Sequence, residues 1–81
     1  MRLDKYLKVS RLVKRRTIAN EICDAGRVLV NGKIARASYA VKNEDIIEIG
    51  MGNRPLKIKV TQVREHATKD GAADLYEVIE D

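Results

Sequence analysis

The sequence predicts one small α+β domain, in which two short helices precede several β-strands. Three observations indicate this class. Apolar residues recur at helical spacing twice within the first 25 residues. Asn31 and Gly32 stand between two short apolar runs, which is typical of a β-hairpin. Apolar and polar residues alternate over residues 56–61, as they do in a strand with one buried face.

Helices are expected at residues 2–10 and 16–25. In the first segment two leucines lie four residues apart and give a narrow apolar stripe. In the second, apolar residues 18–23 repeat at helical spacing, and Gly26 is placed to end the helix. Helices this short are marginal alone, so both need tertiary support.

The strand predictions begin with a hairpin whose turn is Asn31-Gly32, because a type I′ turn needs positive φ at both central residues. A third strand is expected over residues 46–49, and the glycines of residues 50–53 predict a flexible break. Another strand follows over residues 56–60.

The last part of the chain is harder to assign. Residues 64–74 are polar and are expected to form a loop. Residues 72–79 fit either a helix or a strand, because their periodicity favours neither.

Charge is distributed unevenly along the chain. Residues 1–42 carry a net charge of +8 and residues 43–81 carry −4. A chain of 81 residues has room for one domain. Clustered cations attract polyanions and give a salt-dependent affinity for nucleic acid. We therefore expect the N-terminal half to bind RNA or DNA, the alternative being an ordinary solvated surface.

The chain offers little material for catalysis. His66 stands alone in a polar segment, and Cys23 lies among apolar residues of the second helix, where a packing role is expected. One cysteine and one histidine cannot form a familiar zinc site. We expect no enzyme activity, no cofactor and no metal. The lack of a signal peptide or of a membrane-length apolar run predicts a cytoplasmic protein.

The basic side chains are the candidate site. Packing of the two helices through Leu3, Leu7, Ile18 and Ile22 would bring the basic residues of both helices to one side. Tyr6 is expected to pack, whereas Tyr39 fits packing and base stacking equally well. The candidate RNA-binding residues are Arg2, Lys5, Lys8, Arg11, Lys14, Arg15, Arg16, Asn31, Lys33 and Tyr39.

Several spaced motifs resemble the RNA-binding domain named after ribosomal small-subunit protein S4. They are Arg2-Leu3-Asp4-Lys5-x-Leu7, the helix Thr17 to Ala25, Gly26-x-Val28-x-Val30-Asn31-Gly32-Lys33, and Ser38-x-x-Val41-Lys42. The resemblance implies an α-L fold, with two helices on a small, mostly antiparallel sheet and RNA held by the helices and adjoining loops. It divides the chain into an α-L RNA-binding domain at residues 1–50 and a C-terminal strand and tail at residues 51–81, packed on the same domain.

The segment Lys14-Arg15-Arg16-Thr17 and the C-terminal extension are similar to a free-standing subfamily of this domain. The subfamily comprises the bacterial heat-shock ribosome-binding protein and the ribosome-quality-control factor RqcP. It implies binding to obstructed large ribosomal subunits, with contacts to large-subunit rRNA and peptidyl-tRNA. In the quality-control branch an RqcH/NEMF-type partner adds a C-terminal alanine tail, whereas the heat-shock branch recycles blocked subunits.

A third hypothesis is that the protein is an interaction adaptor, whose acidic C-terminal half binds a basic partner. A monomer is expected, because the sequence shows neither a heptad pattern nor a large apolar patch.

Overall fold

The computed structural model describes residues 1–51, 54–68 and 70–79. The chain begins with two α-helices, Leu3–Val9 (α1) and Arg16–Asp24 (α2). The strands that follow are Val28–Val30 (β1), Lys33–Ile34 (β2), Ile46–Met51 (β3), Arg54–Val60 (β4) and Tyr76–Val78 (β5), with a 3₁₀ helix at Gly71–Leu75. All strand pairs are antiparallel, in the order β2-β1-β3-β4-β5. The α+β class and the α-L arrangement of two helices on an antiparallel sheet are confirmed.

Helix α1 is held in place by burial of one face. Leu3, Tyr6 and Leu7 have no exposed surface, which supplies the tertiary support that a seven-residue helix needs. Asp4 in the first turn and Lys8 in the last turn complement the helix dipole. The helix stops because Arg11 takes a left-handed backbone conformation, with φ of 62°.

Helix α2 packs with a different face than the sequence suggests. Ala19 and Cys23, four residues apart, are buried, and Ile22 is half-buried. Ile18 is 40% exposed, so the prediction that it joins the helix packing is wrong. Ala19 and Cys23 are small, which allows the helix backbone to approach its neighbours closely.

The hairpin between β1 and β2 forms as predicted. Asn31 and Gly32 have φ of 52° and 84°, and Val30 pairs with Lys33 across the two-residue loop. These values are those of a type I′ turn, in which glycine is favoured at the second position because it has no Cβ.

The sheet buries one face against the helices. Val30, Ile47 and Ile58 face one another across β1, β3 and β4, and all three are buried. Antiparallel partners share a face of the sheet, so this register places one apolar row against α1 and α2.

The predicted break at residues 50–53 is wrong for its first half. Gly50 and Met51 continue strand β3, whereas residues 52 and 53 lie outside the described residues. The amide of Gly50 donates to the Arg27 carbonyl at 2.8 Å. A Cβ on residue 50 would lie 3.3 Å from that carbonyl oxygen. Glycine at this position therefore fits a close backbone approach rather than flexibility.

The C-terminal segment closes the sheet. A 3₁₀ turn at Gly71–Leu75 leads into strand β5, so residues 72–79 are partly helical and partly extended. Buried Tyr6 donates its hydroxyl proton to the Leu75 carbonyl at 2.7 Å, which joins α1 to this segment. Strands from both sides of residue 50 share one sheet, and the division of the chain there stays a prediction.

Candidate RNA-binding surface

Two arginines, Arg2 just before α1 and Arg16 at the start of α2, meet around the carboxylate of Asp4, which is 2% exposed. Arg2 donates from Nε to Oδ1 at 3.1 Å and from Nη2 to Oδ2 at 3.4 Å. Arg16 Nε lies 3.5 Å from Oδ2. The Lys5 amide donates to Oδ1 at 2.8 Å, and Asn20 Nδ2 donates to Oδ2 at 3.4 Å. One buried carboxylate thus joins the residue before α1 to the first residue of α2.

Asp4 is ionised at neutral pH in this setting. Burial raises its pKa, but hydrogen bonds from Arg2, Asn20 and the Lys5 amide, with the charge of Arg16, outweigh burial and hold the pKa below 3.8. The side chains of Arg2 and Arg16 remain 52% and 49% exposed. A guanidinium has five N–H donors, so each arginine keeps donors for an external anion while Asp4 fixes the orientation of the guanidinium group.

A hollow of about 310 Å³ lies beside this cluster, and we call it the basic hollow. Its lining combines four cations with a short stretch of the C-terminal half: Lys5, Lys8, Val9, Arg11, Arg16, Glu65, His66 and Ala67. Lys5 Nζ donates to Glu65 Oε2, and this bond, with the attraction of the ammonium, lowers the pKa of Glu65. Lys8 and Arg11 make no ion pair with any described residue.

Lys14 and Arg15 lie in the connection before α2. They line a second groove, of about 440 Å³, together with Leu12, Val13 and Ile18. Neither cation is paired with a carboxylate in the described part of the chain. Arg15 precedes Arg16 directly, so this groove adjoins the Asp4 cluster along the backbone.

The remaining candidates lie around the hairpin. Lys33 and Tyr39 line a third groove, of about 710 Å³, which Arg36 also lines. Tyr39 donates its hydroxyl proton to Asp45 Oδ2 at 2.9 Å, and burial together with that bond raises the pKa of the phenol.

Asn31 is exposed, but its side-chain amide forms hydrogen bonds within the protein. Its amide nitrogen donates to Asp45 Oδ1 at 3.1 Å, and its amide oxygen accepts from the Ile46 amide at 3.0 Å. This side chain therefore holds the turn that carries Lys33.

The ten predicted residues thus divide into two groups. Lys5, Lys8, Arg11 and Arg16 share the basic hollow, and Asp4 joins Arg2 to them. Lys14 and Arg15 lie beside this group, whereas Asn31, Lys33 and Tyr39 lie at the hairpin. We call the group around α1 and the start of α2 the helix surface, and we define it as Arg2, Lys5, Lys8, Arg11, Lys14, Arg15 and Arg16.

Sequence reasoning missed three residues near these groups. Glu65 and Asn20 carry no local signal, because their partners Lys5 and Asp4 lie 60 and 16 residues away. Arg36 could have been found, since it lies three residues after Lys33 in the connection that follows the hairpin.

The other chemically active side chains behave as packing or surface groups. Tyr6 is fully buried, as its expected packing role requires. Burial, with the charges of Asp4 and Asp24, raises the pKa of the Cys23 thiol to about 11. His66 is exposed at the basic hollow. Among the described residues there is no group of three His, Cys, Asp or Glu that could hold a metal, and no helix long and apolar enough to cross a membrane.

Comparison with known folds identifies the class of protein. Residues 1–47 match the model of the S4 domain. The trimeric structure of Vibrio cholerae heat shock protein 15 has a TM-score of 0.90 at 28% identity, and the match covers 98% of this chain and 81% of the Vibrio cholerae chain. The solution structure of the hypothetical protein HP1423 has a TM-score of 0.84 at 29% identity, and the match covers 100% of this chain and 99% of the HP1423 chain.

Named relatives show which S4-domain proteins this chain resembles. A protein of Streptococcus pneumoniae named RQC P-site tRNA stabilizing factor is 51% identical over 98% of this chain and 90% of its own length. The protein of the same name from Bacillus subtilis is 42% identical over 100% and 94%. A heat shock protein 15 homolog of Aeromonas salmonicida is 32% identical over 93% of this chain and 57% of its own. This chain belongs to the S4-domain family of RQC P-site tRNA stabilizing factors.

Proposed function

We propose that this protein is a non-enzymatic RNA-binding factor that acts in the cytoplasm on obstructed large ribosomal subunits carrying peptidyl-tRNA. It contacts large-subunit rRNA and the tRNA, and it supports quality control in which an RqcH/NEMF-type partner adds a C-terminal alanine tail. The observation that carries the proposal is the helix surface: it holds seven cations, and ion pairs with carboxylates engage only three of them, Arg2, Lys5 and Arg16, among the described residues. Affinity for RNA then comes from phosphate contacts and shape.

The hairpin supplies a second set of contacts in this proposal. Lys33 binds phosphate, Tyr39 offers its ring to RNA, and Asn31 positions the turn through Asp45. This set adjoins the helix surface, because the Leu3 amide donates to the Tyr39 carbonyl at 2.8 Å and Arg2 pairs with Ala40.

The relatives favour the quality-control role over heat-shock recycling. Five proteins named for the P-site tRNA are 42% to 51% identical to this chain over at least 96% of its length, whereas the heat shock protein 15 homolog is 32% identical over 93%. Recycling of blocked subunits is the alternative that this more distant relative supports. The two roles differ in one readout, the loss of alanine tails when the gene is deleted.

Neutralisation of the arginines at the start of α2 tests the proposal. We expect the double variant Arg15→Ala/Arg16→Ala to bind large subunits carrying peptidyl-tRNA about tenfold or more weakly, because two strong phosphate donors are lost. The measurement is co-sedimentation at several salt concentrations. Affinity of the wild type should fall steeply with salt, and the variant should show a smaller slope.

The matched control removes the same charge elsewhere. Arg27→Ala/Lys59→Ala also lowers the net charge by two but leaves the helix surface intact. We expect this control to lose far less affinity, with both variants folded by circular dichroism. Equal losses for the two variants, or unchanged co-sedimentation of the Arg15/Arg16 variant, would contradict the proposal.

The proposed factor is a monomer. Because the Vibrio cholerae heat shock protein 15 structure is trimeric, sedimentation equilibrium is a direct check. A single species of 9.1 kDa is the expected result.

A further inference from the structure

The acidic C-terminal half contributes one carboxylate to the most basic part of the molecule. Glu65 follows strand β4 and pairs with Lys5 at the wall of the basic hollow. Val63 and Ala67, on either side of it, are half-buried against the core and hold this stretch in place. The Glu65 side chain itself is 65% exposed.

The Lys5–Glu65 pair is easily exchanged for another anion. Ion pairs between exposed side chains contribute little to stability, because water and salt screen them. A lysine ammonium is a compact charge with three donors, and it binds a carboxylate or a phosphate oxygen without requiring a particular fork geometry. Nothing in this contact selects glutamate over phosphate.

The rest of the hollow carries more positive charge than its ion pairs with carboxylates neutralise. Lys8 and Arg11 have no ion-pair partner among the described residues, and Arg16 is already shared with Asp4. Of the four cations, Lys5 is therefore paired with Glu65 and Arg16 with Asp4, and two remain without a carboxylate among the described residues. A phosphate of an RNA backbone carries one negative charge, as a carboxylate does, but the neighbouring phosphates of the strand bring further charge to Lys8 and Arg11.

We propose that the basic hollow binds one phosphate group of an RNA backbone. In the free protein Glu65 pairs with Lys5, and the phosphate displaces Glu65 when RNA binds. Glu65 thus competes with RNA for Lys5 and lowers the affinity of the protein for RNA. The proposal rests on the RNA-binding function above. It adds a binding site for one phosphate and an intramolecular competitor for that site.

The test measures whether removal of Glu65 strengthens RNA binding through Lys5. Four proteins are compared: the wild type, Glu65→Gln, Lys5→Ala and the double variant. The probes are large subunits carrying peptidyl-tRNA, by co-sedimentation, and a short RNA hairpin, by fluorescence anisotropy. We expect Glu65→Gln to bind about threefold more tightly than the wild type, which is the scale of one exposed ion pair. In the Lys5→Ala background the same substitution should change the affinity by less than about 1.3-fold, because the competition acts on Lys5.

Removal of any negative charge strengthens RNA binding slightly, so Glu77→Gln on β5 is the charge-matched control. A gain for Glu65→Gln that exceeds that of Glu77→Gln and falls to the Glu77→Gln level without Lys5 supports the proposal. Equal gains for the two variants, no gain, or a gain that stays above the Glu77→Gln level without Lys5 would overturn it.

The two probes separate this inference from the proposed function. If the wild type fails to bind large subunits, the proposed function is wrong, and the variants on the RNA hairpin alone decide whether Glu65 competes with phosphate. If subunit binding is present but Glu65→Gln behaves like Glu77→Gln, the proposed function stands and this inference fails.

Discussion

Two buried aspartates show how the helix surface and the hairpin differ. Asp4 is 2% exposed and binds two arginines, whereas Asp45 is 7% exposed and binds neutral donors. Asp45 accepts from the Asn31 amide group and the Tyr39 hydroxyl, and at 2.9 Å from the Lys42 amide.

The difference lies in what each carboxylate arranges. Asp4 pairs with two arginines whose side chains are about half exposed, so its neighbours are residues that the proposed function places in contact with RNA. Asp45 joins the hairpin turn, the connection after it and the start of β3, so its neighbours hold the chain. A buried carboxylate among cations thus arranges a charged surface, and one among neutral donors fixes loop geometry.

The largest expected effect is on stability. We expect Asp45→Ala to lower the free energy of unfolding by about 2–4 kcal/mol, because the donors of Asn31, Tyr39 and Lys42 lose their shared acceptor. Chemical denaturation measures this change. A loss below 1 kcal/mol would show that water replaces the carboxylate at these donors. It would contradict the claim that Asp45, unlike Asp4, fixes loop geometry.

A smaller effect concerns RNA affinity, and Asp4→Asn against Asp45→Asn isolates it. Both substitutions remove one negative charge from a buried site, and Asp45→Asn also loosens the hairpin, so a greater loss for Asp4→Asn comes neither from the change in charge nor from general loosening. We expect Asp4→Asn to bind large subunits about threefold more weakly than Asp45→Asn, because Arg2 and Arg16 must be ordered on binding when no carboxylate holds them.

The measurement for this pair is co-sedimentation at a protein concentration and temperature where both variants are folded. Equal affinities would mean that Asp4 merely neutralises the arginines. Tighter binding by Asp4→Asn would reverse the interpretation of the cluster.

The smallest expected effect is a pH dependence specific to Asp4. Its pKa is lower in the folded protein than the ordinary 3.8, so the charged carboxylate stabilises the fold above that pH, and this contribution is lost as the pH falls through the folded value. Unfolding free energy of the wild type should therefore fall more steeply below pH 3.8 than that of Asp4→Asn. Parallel curves from urea denaturation at each pH would contradict the ion-pair description.

The sequence predicted the elements whose signals are local. Helices α1 and α2, the Asn31-Gly32 turn and the alternation in β4 all depend on residues within a few positions of one another. The grouping of Lys5, Lys8 and Arg11 followed from their spacing on one short helix and its exit.

Other features depended on partners far away in the chain. Ile18 has the apolar character of a core residue, yet the smaller Ala19 and Cys23 face the core. Gly50 resembles a linker residue, but the approach of the Arg27 carbonyl places it in a strand. Residues 76–78 became a strand because β4 offers an unpaired edge to them.

By itself, then, the sequence determined the two helices, the hairpin, the buried face of the sheet and the excess of positive charge in the N-terminal half. Only the tertiary structure decided that Asp4 joins Arg2 to Arg16, that Asp45 holds the hairpin, and that Glu65 meets Lys5. The physical reason is that periodicity and turn chemistry act over a few residues, whereas a contact between distant residues exists only when the packed core brings their backbones together.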